Sequence, residues 1–142
     1  MTASVRRLGP EDADVVLGAG HLFDSAPTPA WTADVLRRAG HHLLIAFDGT
    51  TPVGFATCIE MAHPDKGTEL MIYELGVDER ARRRGVGRRL VDESLAPARE
   101  LGCYGAWTAT EDDNAAALAT YRAAGAEPDH TTVTQTWDWR DA

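Results

Sequence analysis

The chain has 142 residues, 44% of them apolar and 25% charged, with a formal net charge of −8. That is enough for one domain around one core, with an ordinary globular composition. No apolar run approaches the roughly 20 residues of a membrane helix, and the N-terminus lacks the basic-then-apolar form of a secretion signal.

Residues 4–8 read as a short strand. Gly9-Pro10-Glu11-Asp12 then opens a helix, with proline early and acids in the first turn, carrying Val15, Val16 and Leu17 and ending near residues 18–20. A loop with two prolines leads to a second helix, with Thr28 as N-cap, Pro29 as first helical residue and Trp31, Val35 and Leu36 as its apolar stripe. Residues 42–48 and 52–61 form a hairpin around Gly49-Thr50-Thr51. Residues 70–77 are strand-forming and apolar on both parities, as in a strand interior to a covered sheet. Strict alternation places Met71, Tyr73, Leu75 and Val77 on one face and Leu70, Ile72 and Glu74 on the other. A helix follows to about residue 101, with Pro97 expected to bend or break it. Residues 103–108 are a strand, and Asp112 or Asp113 is placed to cap a helix over 114–124. Residues 131–139 alternate Val133, Gln135, Trp137 and Trp139 and read as a final strand. Cys58 and Cys103 fall in strands with no metal spacing around them, as small buried hydrophobes. The chain is expected to be one domain over 1–142, reduced and cytoplasmic, with no internal repeat or evident linker.

The junction between the 70–77 strand and the next helix carries the chemistry. Six of the 14 basic residues, all arginines, lie between positions 80 and 89, so the acidic excess sits outside this stretch. The first N–H groups of a helix have no intrahelical partner and favour an anion. Gly85 and Gly87 remove side chains that would hold a large oxyanion away, and arginines add forked donors suited to phosphate. A solvated basic turn is the rival reading. A nucleotide P-loop is excluded because no Gly-Lys-Ser/Thr follows, and Gly85-Val86-Gly87 lacks the third glycine of a dinucleotide fold.

Arg82-x-x-Gly85-x-Gly87 after a strand resembles the pyrophosphate loop of the GCN5-related N-acetyltransferases, and Asn114-x-x-Ala117-x-x-x-Tyr121-x-x-x-Gly125 resembles their late helix. The resemblance covers nearly the whole chain. It implies an α/β fold: a mixed, mostly antiparallel sheet of about six to seven strands with about four helices on both faces. It also implies acetyl-CoA as cofactor, held by Leu75, Gly76 and Val77 of the strand, by Arg82, Arg83, Arg84, Gly85, Val86, Gly87 and Arg88 of the loop, and by Asn114 and Tyr121. Gly76 suits a bulge where a ligand approaches, and the N–H near Leu75 would polarise the thioester carbonyl. Tyr121 matches the family's general acid, its phenol being protonated at neutral pH; the alternative is a core tyrosine. Thr120 and Ala126 depart from the family's larger apolar residues.

A carboxylate on an apolar strand face is costly unless paired or open to a cleft. Glu74 is therefore read as general base, as anchor for a cationic substrate, or as part of a structural ion pair. Asp24, Glu60, Asp112 and Asp113, with Glu69 and Glu111, would line an acidic cleft that attracts a polycation, unless the acidity serves solubility alone. Arg7-Leu8-Gly9-Pro10, Leu22-Phe23, Ala46-Phe47-Asp48 and Ile72-Tyr73-Glu74-Leu75 resemble the aminoglycoside 3-N-acetyltransferases of the superfamily. The implied activity is direct acetyl transfer to a primary amine of a cationic small molecule, because no cysteine or serine has the neighbours of an activated nucleophile. Polyamine or protein N-acetylation, and a non-catalytic acyl-CoA-binding regulatory domain, are the alternatives. RNA binding is disfavoured, since no stacking aromatics flank the arginines and the rest of the surface repels phosphate. Trp137 and Trp139 are open to two readings, core or homodimer contacts.

Overall fold

The computed structural model describes residues 3–140. Five strands, β1 (Ser4–Arg7), β2 (His41–Asp48), β3 (Thr51–His63), β4 (Gly67–Val77) and β5 (Gly105–Thr108), form one sheet in the order β1-β2-β3-β4-β5. The first three pairings are antiparallel, and β5 joins β4 in parallel. Helices α1 (Ala13–Gly18) and α2 (Pro29–Arg37) pack on one face with Leu43, Ile45 and Phe55. Helix α3 (Val86–Glu100) covers the other, over Leu44, Ala56, Cys58, Leu70 and Ile72. Helix α4 (Ala115–Ala123) lies beside α3, with Tyr121 against the same core.

Several local signals act as expected. Thr28 caps α2 by accepting the Trp31 N–H, with Pro29 in the first turn. Others are overridden. The first helix is split into a 3-10 turn (Pro10–Asp12) and the short α1. Trp31 points to solvent while Thr32 and Leu36 face the core. Pro97 is buried inside an unbroken α3. Asn114 itself, not Asp112 or Asp113, caps α4 by accepting the Ala117 N–H. Cys58 is buried in β3, whereas Cys103 is half-buried in the turn before β5 rather than in a strand; both are free.

Two corrections bear on function. Among the described residues the sheet has five strands, because residues 131–139 form none: they are irregular and exposed, and the hydrogen bonds found for this stretch are local, from Thr131 and Thr132 to Asp129 and from Arg140 to Asp138. Alternation supplied the strand pattern, but no neighbouring edge pairs with it. The second correction is a bulge in β4. Ile72 is opposite Cys58 and Glu74 opposite Thr57, which leaves Tyr73 as the extra residue. A bulge reverses side-chain parity beyond it. Leu75 and Val77 therefore join Leu70 and Ile72 on the α3 side, and Glu74 moves to the opposite face.

Gly76, expected to be the bulge, is instead a close-packing position. A Cβ there would lie 2.6 Å from Phe55 Cε1. The Phe55 ring is held by Phe23, with centroids 4.5 Å apart. Gly76→Ala should destabilise the fold by about 1–3 kcal/mol, read as a lower urea midpoint, since the buried Phe55 ring must shift to admit the methyl group.

Candidate active site

The parallel β4–β5 pairing runs only from Glu69–Gly105 to Ile72–Thr108. The Thr108 hydroxyl closes it by donating to the Ile72 carbonyl at 2.7 Å. From Tyr73 to Val77, β4 has no strand on its second side. The sheet thus forks where the chain turns toward α3, and the fork exposes a strand edge to which an extended ligand can add.

At the mouth of the fork stands the N-terminus of α3. Gly85 is its N-cap in the left-handed region (φ 77°), and nothing lies within 4 Å of where its Cβ would be. Arg83, just before it, also has positive φ, 63°. No side chain caps the helix, and its first backbone bond is from Arg89 N–H to the Gly85 carbonyl. The N–H groups of Val86, Gly87 and Arg88 therefore remain available to an anion. Arg82, Arg83 and Arg84 are exposed around this turn. Arg80 pairs with Asp78, Arg88 with Asp92 and Arg89 with Glu93. Val86 is buried and anchors the turn to the core rather than lining it. Gly87 faces α4, its Cβ position being 3.5 Å from Thr120 Cγ2, which sets Tyr121 one residue from the anion turn. These features fit a diphosphate followed by an extended arm: unsatisfied amides, open space and arginines at one end, and a free strand edge leading inward.

On the α1–α2 side, those helices cover Leu43, Ile45 and Phe55 but leave the far part of the sheet open. That shelf carries Thr57, Ile59, Met71, Glu74 and Trp107 in register. The Thr57 hydroxyl donates to Glu74 Oε1 at 2.8 Å, orienting an otherwise exposed carboxylate. Beside it, burial pushes the Tyr73 phenol up; the Thr57 hydroxyl opposes that shift and the Glu74 charge adds to it. Tyr73 is thus held protonated next to an oriented carboxylate. Strand parity separated these two residues, and only the bulge joins them.

The remaining acidic candidates are dispersed. Asp24 is exposed in the loop before α2, and Asp112 and Asp113 are exposed in the turn before α4. Glu60 lies on the α3 face with Leu70, where its carboxylate meets His42 Nε2 at 2.7 Å, so it does not share the shelf with Glu74. Asn114 uses its carbonyl oxygen on α4. Tyr121 is half-buried, and among the described residues its hydroxyl has no hydrogen bond. The described residues contain no cluster that could hold a metal ion and no helix long and apolar enough to cross a membrane.

A free strand edge beyond Ile72, a helix start with unsatisfied amides beside it and an oriented carboxylate on the shelf are the arrangement that an acyl-CoA-dependent transferase needs. The acetyltransferase (GNAT) family profile matches residues 13–126, and the chain belongs to that family, whose acetyl donor is acetyl-CoA. A mycothiol acetyltransferase of Geodermatophilus obscurus is 36% identical over 109 residues, 68% of this chain and 34% of that protein. One from Nocardia farcinica is 42% identical over 62 residues, 44% of this chain and 20% of that protein. The match therefore spans 34% and 20% of the length of these curated relatives. Among solved structures, an aminoglycoside acetyltransferase from an uncultured soil metagenomic sample in complex with sisomicin has a TM-score of 0.87 at 18% identity, over 97% of both chains. The aminoglycoside N-acetyltransferase AAC(6')-Iy in complex with CoA has a TM-score of 0.80 at 17% identity, over 96% of this chain and 95% of that one.

Proposed function

We propose that the protein is an acetyl-CoA-dependent N-acetyltransferase that acetylates a primary amine of a cationic small molecule, with an aminoglycoside, acetylated at the 3-N position, as the acceptor to test first. The observation that supports it best is the fork beyond Ile72, with unsatisfied α3 amides at its mouth and the Thr57-oriented Glu74 on its floor. When bound, acetyl-CoA supplies the activated acetyl group as a thioester. Arg82 and Arg83, with the amides of Val86, Gly87 and Arg88, hold the diphosphate. The Leu75 N–H stands as donor toward the acyl oxygen. Glu74 takes the proton of the attacking amine, and the Tyr121 hydroxyl gives one to the departing sulfur. Transfer is direct: Cys58 faces the α3 core, where burial pushes its thiol up, and so it is no nucleophile.

The 3-N position rests on the sequence likeness in Arg7-Leu8-Gly9-Pro10 and Ile72-Tyr73-Glu74-Leu75. Identity of 36% to a mycothiol acetyltransferase favours a second reading, in which the amine belongs to a mycothiol precursor. Thiol release across aminoglycosides, polyamines, N-terminal peptides and that precursor, with mass and NMR of the product, tests both. A single favoured acceptor is expected. CoA binding with no thiol release on any amine would replace the enzyme with a sensor. In the same assay, Arg82→Ala should raise the KM for acetyl-CoA by about tenfold, the loss of one charge-assisted hydrogen bond, and leave the KM for the amine unchanged.

A further inference from the structure

The shelf that carries Glu74 continues away from the fork and ends on a second carboxylate. Glu69 stands opposite Met61 on β3 and Gly105 on β5, two positions before Met71, and so shares the face of Met71 and Ile59. Only 16% of its side chain is exposed, and Oε2 accepts from His63 Nε2 at 3.0 Å. The Tyr104 ring stands beside that imidazole, with centroids 6.2 Å apart. Among the described residues Glu69 has no other side-chain hydrogen bond, and Lys66, the cation of the adjoining β3–β4 turn, pairs with Asp65 instead. The arrangement repeats that of Glu74: a carboxylate on β4, held by one donor from β3. Between the two lie Ile59, Met71 and Trp107, one row across three strands. None of the three is buried, and Trp107 is 43% exposed.

We propose that Glu69, oriented by His63, is a second-cation subsite of the acceptor, so that the acceptor lies along the shelf with one ammonium at each carboxylate and its carbon frame over Met71 and Trp107. This rests on the acetyl-transfer reading and narrows it to one class of amine. At about 3.3 Å per residue, the four β3 positions from Thr57 to Met61 set the two carboxylates about 13 Å apart at the backbone. The favoured acceptor therefore carries a second cationic group roughly 10–13 Å from the amine that is acetylated. An apolar strip between two oriented negative charges is complementary to such a molecule and to neither a monoamine nor a short diamine. Glu74 is itself exposed, and an exposed ion pair holds a ligand weakly. The more enclosed Glu69 supplies the stronger grip, and a grip at the far end fixes the direction from which the reacting amine arrives.

Two measurements on the 142-residue chain test the subsite: calorimetric titration, with CoA present, of octylamine and of α,ω-diamines of four, six, eight and ten carbons, and acetyl transfer to the same set. Binding is expected to peak at the eight-carbon diamine, which spans the required distance, and to exceed that of octylamine by about tenfold or more, the contribution of one charge-assisted hydrogen bond. Glu69→Gln keeps an acceptor for His63 and should erase the advantage. The KM for the long diamine should rise about tenfold, while kcat and the KM values for acetyl-CoA and octylamine stay unchanged. Asp65→Asn makes the same charge change on the neighbouring exposed turn and should alter none of these, which separates a subsite from the general field of an acidic protein. A flat length series in the wild type, or equal losses in both variants, overturns the subsite and leaves acetyl transfer standing. A length optimum lost in Glu69→Gln but with no transfer to any amine supports the subsite and overturns the transferase reading. A chain that binds none of the diamines overturns the subsite whatever the variants do.

Discussion

Glu74→Gln should lower kcat by about 100-fold or more and leave acetyl-CoA affinity unchanged, the loss expected when a general base is removed. The substitution keeps the side chain's shape and an acceptor oxygen for the Thr57 hydroxyl, now 2.8 Å from Glu74 Oε1, so the shelf should stay in place. What it removes is the charge and the site for a proton. The acidic limb of the kcat/KM profile, where a base becomes protonated and useless, should flatten in the variant. The rival role separates cleanly: a carboxylate that only holds a cationic acceptor would raise the amine KM and spare kcat. A structural role would instead lower the unfolding midpoint, with little expected change in either constant.

Tyr121→Phe should also reduce kcat by about 100-fold, with acetyl-CoA binding and thermal midpoint both near wild type. The ring packs against the α3-side core, and phenylalanine preserves that contact. Among the described residues the hydroxyl makes no hydrogen bond, so its removal leaves no protein group unsatisfied. An effect confined to turnover is therefore the signature of a proton donor. A normal kcat would return Tyr121 to packing alone.

Much of the architecture was legible because it depends on neighbours a few residues apart. Thr28-Pro29 begins a helix by satisfying that helix's own first turn, and Gly85 takes a left-handed conformation that L side chains resist. The pairing of Arg88 with Asp92 and Arg89 with Glu93 is also of this kind, at four-residue helical spacing, and it could have been read before the structure. It ties Arg88 and Arg89 to carboxylates of their own helix. Asn114 as cap was within reach too, since its carbonyl is as good an acceptor as an aspartate's.

The shelf was not legible. Alternation assigned Glu74 to the face of Leu70 and Ile72, and one extra residue at Tyr73 reversed that assignment. A bulge is set by the register two strands adopt against each other, and no run of eight residues contains the information.

By itself, then, the amino-acid order determined an acidic α/β chain with an arginine-flanked helix start after a strand, because caps, turns and periodicity are short-range effects. Only the tertiary structure decided which face Glu74 occupies, that Thr57 stands beside it, and that residues 131–139 join no strand of the sheet. Each of those outcomes depends on which edge or face another segment presents, and backbone pairing between distant strands is settled only when the whole sheet is assembled.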